Sequence, residues 1–139
     1  MLKLTGGSDG GRTGESREGT HGVVRVLVID DDAGVLEVLR LVLTEEGHDV
    51  RAMPDGPSGV ALAQEDPPDV AILDFRMPGM SGVEVLRALK RLRPSLPVFF
   101  HTVYGDFGGK SELDEADYCF VKSSDLSPVI KAVARAVGP

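Results

Sequence analysis

An open α/β fold, a parallel five-stranded sheet with helices wound on both faces, is predicted by three observations. From residue 24 onward, strand-length apolar runs alternate with helix-length amphipathic segments. That alternation marks strand–helix–strand units, in which each crossover helix returns the chain to a parallel neighbour. Acidic, hydroxyl and basic residues gather where the apolar runs end, as in sheets whose ligands sit beyond the strand C-termini. Finally, 139 residues of which 42% are hydrophobic suit one domain around one core.

The first 22 residues, "MLKLTGGSDGGRTGESREGTHG", hold seven of the 17 glycines and no apolar periodicity. They bury too little to order themselves, so residues 1–22 are read as a flexible tail and 23–139 as the domain. "VRVLVI" (24–29) is a β-branched strand. In "AGVLEVLRLVLTEEG", Leu36, Leu39, Val42 and Leu43 share one helical face and Gly47 ends it. "HDVRAM" reads as a strand, "PSGVALAQED" as a short helix and "DVAILD" as a strand buried on both faces. The next helix, "SGVEVLRALKRLR", turns Val83, Leu86 and Leu89 inward and Arg87, Lys90 and Arg91 outward.

"LPVFFH" is the fourth strand and "YCFV" the fifth. Between them lies "TVYGDFGGKSELDEAD", where Gly105, Gly108 and Gly109 are each expected to cost a helix about 1 kcal/mol relative to alanine. The fourth helix is therefore expected to be weak or shortened, at most a turn near Lys110–Ala116. "SPVIKAVARAV" closes the chain as a helix with Pro128 in its first turn and Val129, Val133 and Val137 at i, i+4 and i+8.

A net charge of −7 argues against nonspecific binding to nucleic acid or lipid across the surface. The basic residues Arg87, Lys90, Arg91 and Arg93 read as a solvated helix face. No apolar run approaches the roughly 20 residues that span a bilayer, and the N-terminus lacks a signal-peptide core, so a cytoplasmic location is expected. The single cysteine, Cys119, reads as a small buried side chain.

The informative stretch is "VLVIDDDAG", where a buried strand ends on three like charges. Crowded carboxylates repel unless a cation or donor compensates them. At the other strand ends stand Asp74, then His101 and Thr102, then Lys122, Ser123 and Ser124. Strand alternation turns His101 away from the Thr102 side. Carboxylates, hydroxyls and an ammonium converge on one rim.

Four signatures in order, "VIDDD", "ILDFRMPGMSG", "FFHT" and "FVK", make residues 24–137 resemble the receiver domain of two-component response regulators, of the chemotaxis-receiver type. The resemblance implies a flavodoxin-like doubly wound sheet of order 2-1-3-4-5. It makes Asp74 the acceptor of a phosphoryl group from a sensor histidine kinase or a histidine phosphotransfer protein. Asp31 would bind Mg2+ directly and Asp30 through water, with Asp74 and the backbone carbonyl of Arg76 completing an oxygen-only set. Lys122 and the Thr102 hydroxyl would contact phosphate oxygens, while Asp32 is the turn residue. No enzymatic activity is implied beyond phosphotransfer to Asp74 and hydrolysis from it.

Two positions depart from the family pattern. Ser123 stands where a proline usually follows the lysine, and Cys119 stands where an aromatic residue usually precedes it by three. With the chain ending at Pro139, the expected form is a single-domain regulator acting on a downstream protein or in a phosphorelay, without direct nucleic-acid or membrane contact. Two other readings are open: a pseudo-receiver that only binds, and a haloacid-dehalogenase-like phosphatase using Asp30 and Asp32, which leaves Asp74 unexplained.

Overall fold

The computed structural model describes residues 22–103 and 111–136. The expected tail up to residue 21, the glycines at 105, 108 and 109, Lys110 and Val137 lie outside the described residues. The chain runs through β1 (Arg25–Ile29), α1 (Ala33–Glu45), β2 (Asp49–Met53), α2 (Gly56–Glu65), β3 (Val70–Leu73), α3 (Gly82–Leu92), β4 (Val98–Thr102), a 3-10 turn (Ser111–Glu115), β5 (Tyr118–Val121) and α4 (Ser127–Ala136). The strands form one parallel sheet of order β2-β1-β3-β4-β5, the predicted topology.

Strand periodicity sorts the core into two layers. Leu27, Ile29, Ala71, Leu73, Val98 and Phe100 pack with Val85, Leu86 and Leu89 of α3 and Ala63 of α2. Val26, Val28, Val70, Ile72 and Phe99 point to the other face, against Leu39 and Leu43 of α1 and Val129 and Val133 of α4. Every residue of β3 is buried because helices cover both faces, which explains its unbroken apolar run.

Local chemistry sets the helix ends. Asp32 caps α1, its carboxylate accepting from the N–H of Gly34 at 2.9 Å and of Val35 at 3.3 Å. Past the helix, Gly47 takes a φ of 93°, a region costly for any residue with a Cβ. Buried His48 follows, its Nδ1 accepting from the Val24 N–H at 3.1 Å. A capping box opens α3: the Ser81 hydroxyl accepts from Glu84 N–H at 3.3 Å, and the Glu84 carboxylate accepts from Ser81 N–H at 2.8 Å.

Among the described residues, the connection between β4 and β5 forms a 3-10 turn at Ser111–Glu115. Leu113 drops from it into the core. Its acids reach α3: Arg87 meets Glu115 through two bonds of 2.9 and 2.5 Å, and Lys90 meets Asp117 at 3.0 Å and the Leu96 carbonyl at 2.7 Å. Arg93 donates to the Pro68 carbonyl at 2.9 Å. The basic face of α3, expected to be simply solvated, is thus largely paired, because the acidic "SELDEAD" segment lies alongside it.

α3 starts in contact with the end of β3. A Cβ on Gly82 would lie 2.3 Å from the Asp74 carbonyl oxygen and 2.9 Å from the Phe75 Cα, both backbone atoms. Gly82→Ala should therefore lower unfolding free energy by about 1–3 kcal/mol despite alanine's better helix propensity. Urea unfolding measures this, and an unchanged midpoint would show that α3 can shift freely.

Candidate functional site

The ladder hydrogen bonds run one residue beyond the strands and so fix two carboxylates at the rim. Asp30 N–H donates to the Met53 carbonyl at 3.2 Å, and Asp74 N–H donates to the Ile29 carbonyl at 3.0 Å. Because Ile29 pairs with Leu73, and Leu73 with Phe100, the residues Asp30, Asp74 and His101 follow in one row across three strands. Phe75 stacks edge-on against Phe100 at 5.4 Å, and its carbonyl accepts from Gly82 N–H at 3.0 Å. The acid at position 74 is thereby anchored on both sides.

Asp30 is 1% and Asp74 7% exposed, so water screens neither charge well. Lys122 supplies the compensating cation: its Nζ lies 3.0 Å from Asp30 and 3.4 Å from Asp74. Lys122 is delivered by β5, where its N–H donates to the Thr102 carbonyl at 2.7 Å. A second Asp30 oxygen accepts from Asp32 N–H at 2.9 Å. Asp31 is exposed at the mouth, and one oxygen from each of Asp30, Asp31 and Asp74 lies within 4.8 Å of the others.

Burial raises the Asp74 carboxyl above its ordinary pKa, and neighbouring Asp30 adds to this; Lys122 and the Arg76 N–H oppose it. Burial works to lower Lys122, but its bonds to Asp30 and then Asp74 outweigh that and hold the ammonium above its usual value. His101 is depressed, first by burial and then by the Lys122 charge. Its two ring nitrogens are buried without a hydrogen-bond partner among the described residues.

The structure thus brings Asp30, Asp31, Asp74 and Lys122 into one cluster, with fully buried Thr102 at the adjacent strand end. Arg76 joins through its backbone N–H, while its side chain is exposed. Asp32 is occupied as a helix cap, which leaves a nucleophile–acid pair of Asp30 and Asp32 without its second member. Sequence reasoning did not anticipate that Asp30 is the nearer partner of Lys122, nor that His101 stands in the Asp30–Asp74 row. Pairing register could have revealed the second.

The response regulator receiver domain family matches residues 26–134. The chain belongs to that family. The DNA-binding response regulator MtrA of Mycobacterium tuberculosis is 39% identical over 82 residues, 59% of this chain and 36% of that protein. The receiver therefore spans about a third of the length of its mycobacterial relatives. Sporulation initiation phosphotransferase F of Bacillus subtilis is 27% identical over 113 residues, 80% of this chain and 91% of that protein. Among solved structures, the response regulator TrrA of Thermotoga maritima, crystallised with Mg2+ and BeF, superposes with a TM-score of 0.77 at 27% identity, covering 83% of the receiver and 100% of TrrA.

The raised Asp74 pKa has a stability consequence whose sign is definite. A carboxyl held above its unfolded value favours folding fully below that value and loses this contribution as pH rises through the folded one. In metal-free buffer Asp74→Asn should therefore be more stable than wild type at neutral pH, with the gain fading toward the ordinary carboxyl value of 3.8. Thermal unfolding across that pH range checks it; a gain that persists in acid would locate the strain elsewhere.

Proposed function

We propose that this receiver takes a phosphoryl group onto Asp74 from a phosphohistidine of a sensor histidine kinase or histidine phosphotransfer protein, in the presence of Mg2+. The observation that carries this reading is the Asp74 carboxylate itself, anchored at a strand end with an ammonium 3.4 Å away and two further acids within 4.8 Å. Phosphoryl transfer asks a protein mainly for positioning and charge neutralisation, which this arrangement is built to supply.

A carboxylate oxygen of Asp74 attacks phosphorus, the P–N bond of the donor breaks, and the imidazole leaves with the electron pair and takes up a proton. The product is an acyl phosphate. Lys122 then exchanges its bond with Asp74 for one with a phosphate oxygen while keeping Asp30, and the Thr102 hydroxyl turns to a second oxygen. The all-oxygen donor set of Asp30, Asp31 and Asp74 fits a hard cation; these residues, with the Arg76 carbonyl that the family resemblance adds, would hold Mg2+, which would supply charge neutralisation for the phosphoryl oxygens. Val38 and Leu41, exposed on the helix that follows the acid triplet, offer apolar contact to a protein donor.

Signalling proceeds by contact with a downstream protein or by passing the phosphoryl group on. Among the described residues no helix is long and apolar enough to cross a membrane, and a cytoplasmic setting goes with the proposed kinase partner.

Intact-protein mass spectrometry after incubation with acetyl phosphate should show one phosphate adduct that requires Mg2+ and disappears in Asp74→Asn. An adduct mapped to Asp30 would favour the phosphatase reading, and no adduct on wild type would favour a binding-only module. Mg2+ should also raise the melting temperature; at a hundredfold excess over Kd the gain is about 2.7 kcal/mol. Asp31→Asn should lose most of that gain, and a full Mg2+ response in this variant would remove Asp31 from the ligand set.

A further inference from the structure

The position of the Lys122 ammonium depends on the backbone on both sides of it. On the N-terminal side, the bond from Lys122 N–H to the Thr102 carbonyl, 2.7 Å, ties it to the sheet. On the C-terminal side the strand has ended, and four residues separate Lys122 from the start of α4 at Ser127. There the Ser123 hydroxyl does two things at once: it donates to the Asp125 carbonyl at 3.0 Å and accepts from the Asp125 N–H at 3.1 Å. One hydroxyl hydrogen and two lone pairs permit both bonds. Asp125 in turn accepts from Ser127 N–H at 3.0 Å, which ties the same turn to the first residue of α4. Leu126 packs into the second core layer, and its carbonyl accepts from Ile130 N–H at 3.0 Å. The segment after Lys122 is therefore closed onto α4 through Ser123 and Asp125, and no cis peptide contributes among the described residues.

We infer that Ser123 is a positioning residue for Lys122: its two-way bond to Asp125 fixes the chain immediately past the lysine, so that the ammonium stays between Asp30 and Asp74. The inference deepens the proposed function and rests on that reading for its catalytic consequence. Its electrostatic consequence is independent of that reading. An ammonium held against Asp30 and Asp74 competes with a divalent cation for the same carboxylates. Loosening Lys122 should therefore tighten Mg2+ binding, while the phosphate loses a well-placed partner and transfer slows. The two effects have opposite signs, which a general loss of stability would not produce.

The test compares Ser123→Ala, Ser123→Thr and Asp125→Ala in the full chain. Mg2+ affinity is read by isothermal titration calorimetry, and the rate of phosphorylation by acetyl phosphate is read at saturating Mg2+. Ser123→Ala should bind Mg2+ about three- to fivefold more tightly and phosphorylate more slowly by a similar factor. Ser123→Thr, which keeps the hydroxyl, should match wild type on both. Asp125→Ala removes the side-chain bond to Ser127 but leaves the backbone groups that Ser123 holds, so it should lower the melting temperature and leave Mg2+ affinity unchanged. Unchanged Mg2+ affinity in Ser123→Ala, failure of threonine to restore it, or equal tightening in Asp125→Ala overturns the inference. If Ser123→Ala tightens Mg2+ binding but wild type takes no phosphate on Asp74, the functional reading fails while the positioning role stands.

Discussion

Two buried carboxylates share one ammonium at the C-terminal rim of the sheet, and the rest of the structure is arranged around that contact. Asp30 and Asp74 have almost no solvent, so each would be costly to keep charged alone. Lys122, at 3.0 and 3.4 Å, makes the pair tolerable without neutralising it fully. Two negative charges face one positive charge, with the exposed Asp31 carboxylate close by. Such a cluster retains a demand for further positive charge.

Rigid surroundings keep this charge imbalance in place. The ladder extends past β1 and β3 to hold both acids by their backbone N–H groups. α3 begins directly behind Asp74, close enough that only glycine fits at its first position. The capping box at Ser81 and Glu84 fixes that helix start, so Asp74 cannot drift away from its neighbours. Among its described residues, the β4–β5 connection forms a 3-10 turn. Buried Leu113 and the ion pairs of Glu115 and Asp117 with α3 fasten this stretch.

Exposed ion pairs of that kind are individually weak, commonly below about 1 kcal/mol, and salt screens them. Both Arg87 and Glu115 are substantially solvated, so their fork is better viewed as orienting the turn than as stabilising the domain. Leu113, almost fully buried, carries more of the attachment.

Local patterns made the fold readable from the sequence alone: unbroken apolar strands, period-3.6 helices, Asp32 in the turn after β1 and Gly47 at a helix end. The same patterns put Asp30, Asp31, Asp74, Thr102 and Lys122 on one rim, because a parallel sheet collects its strand C-termini there. Tertiary structure alone decided which charge meets which. Lys122 lies nearer Asp30 than Asp74, the basic face of α3 finds Glu115 and Asp117, and His101 enters the row of the two acids. Periodicity specifies the face on which a side chain lies, whereas ångström distances between side chains far apart in sequence depend on strand register, helix approach and loop closure, which the whole packed chain determines together.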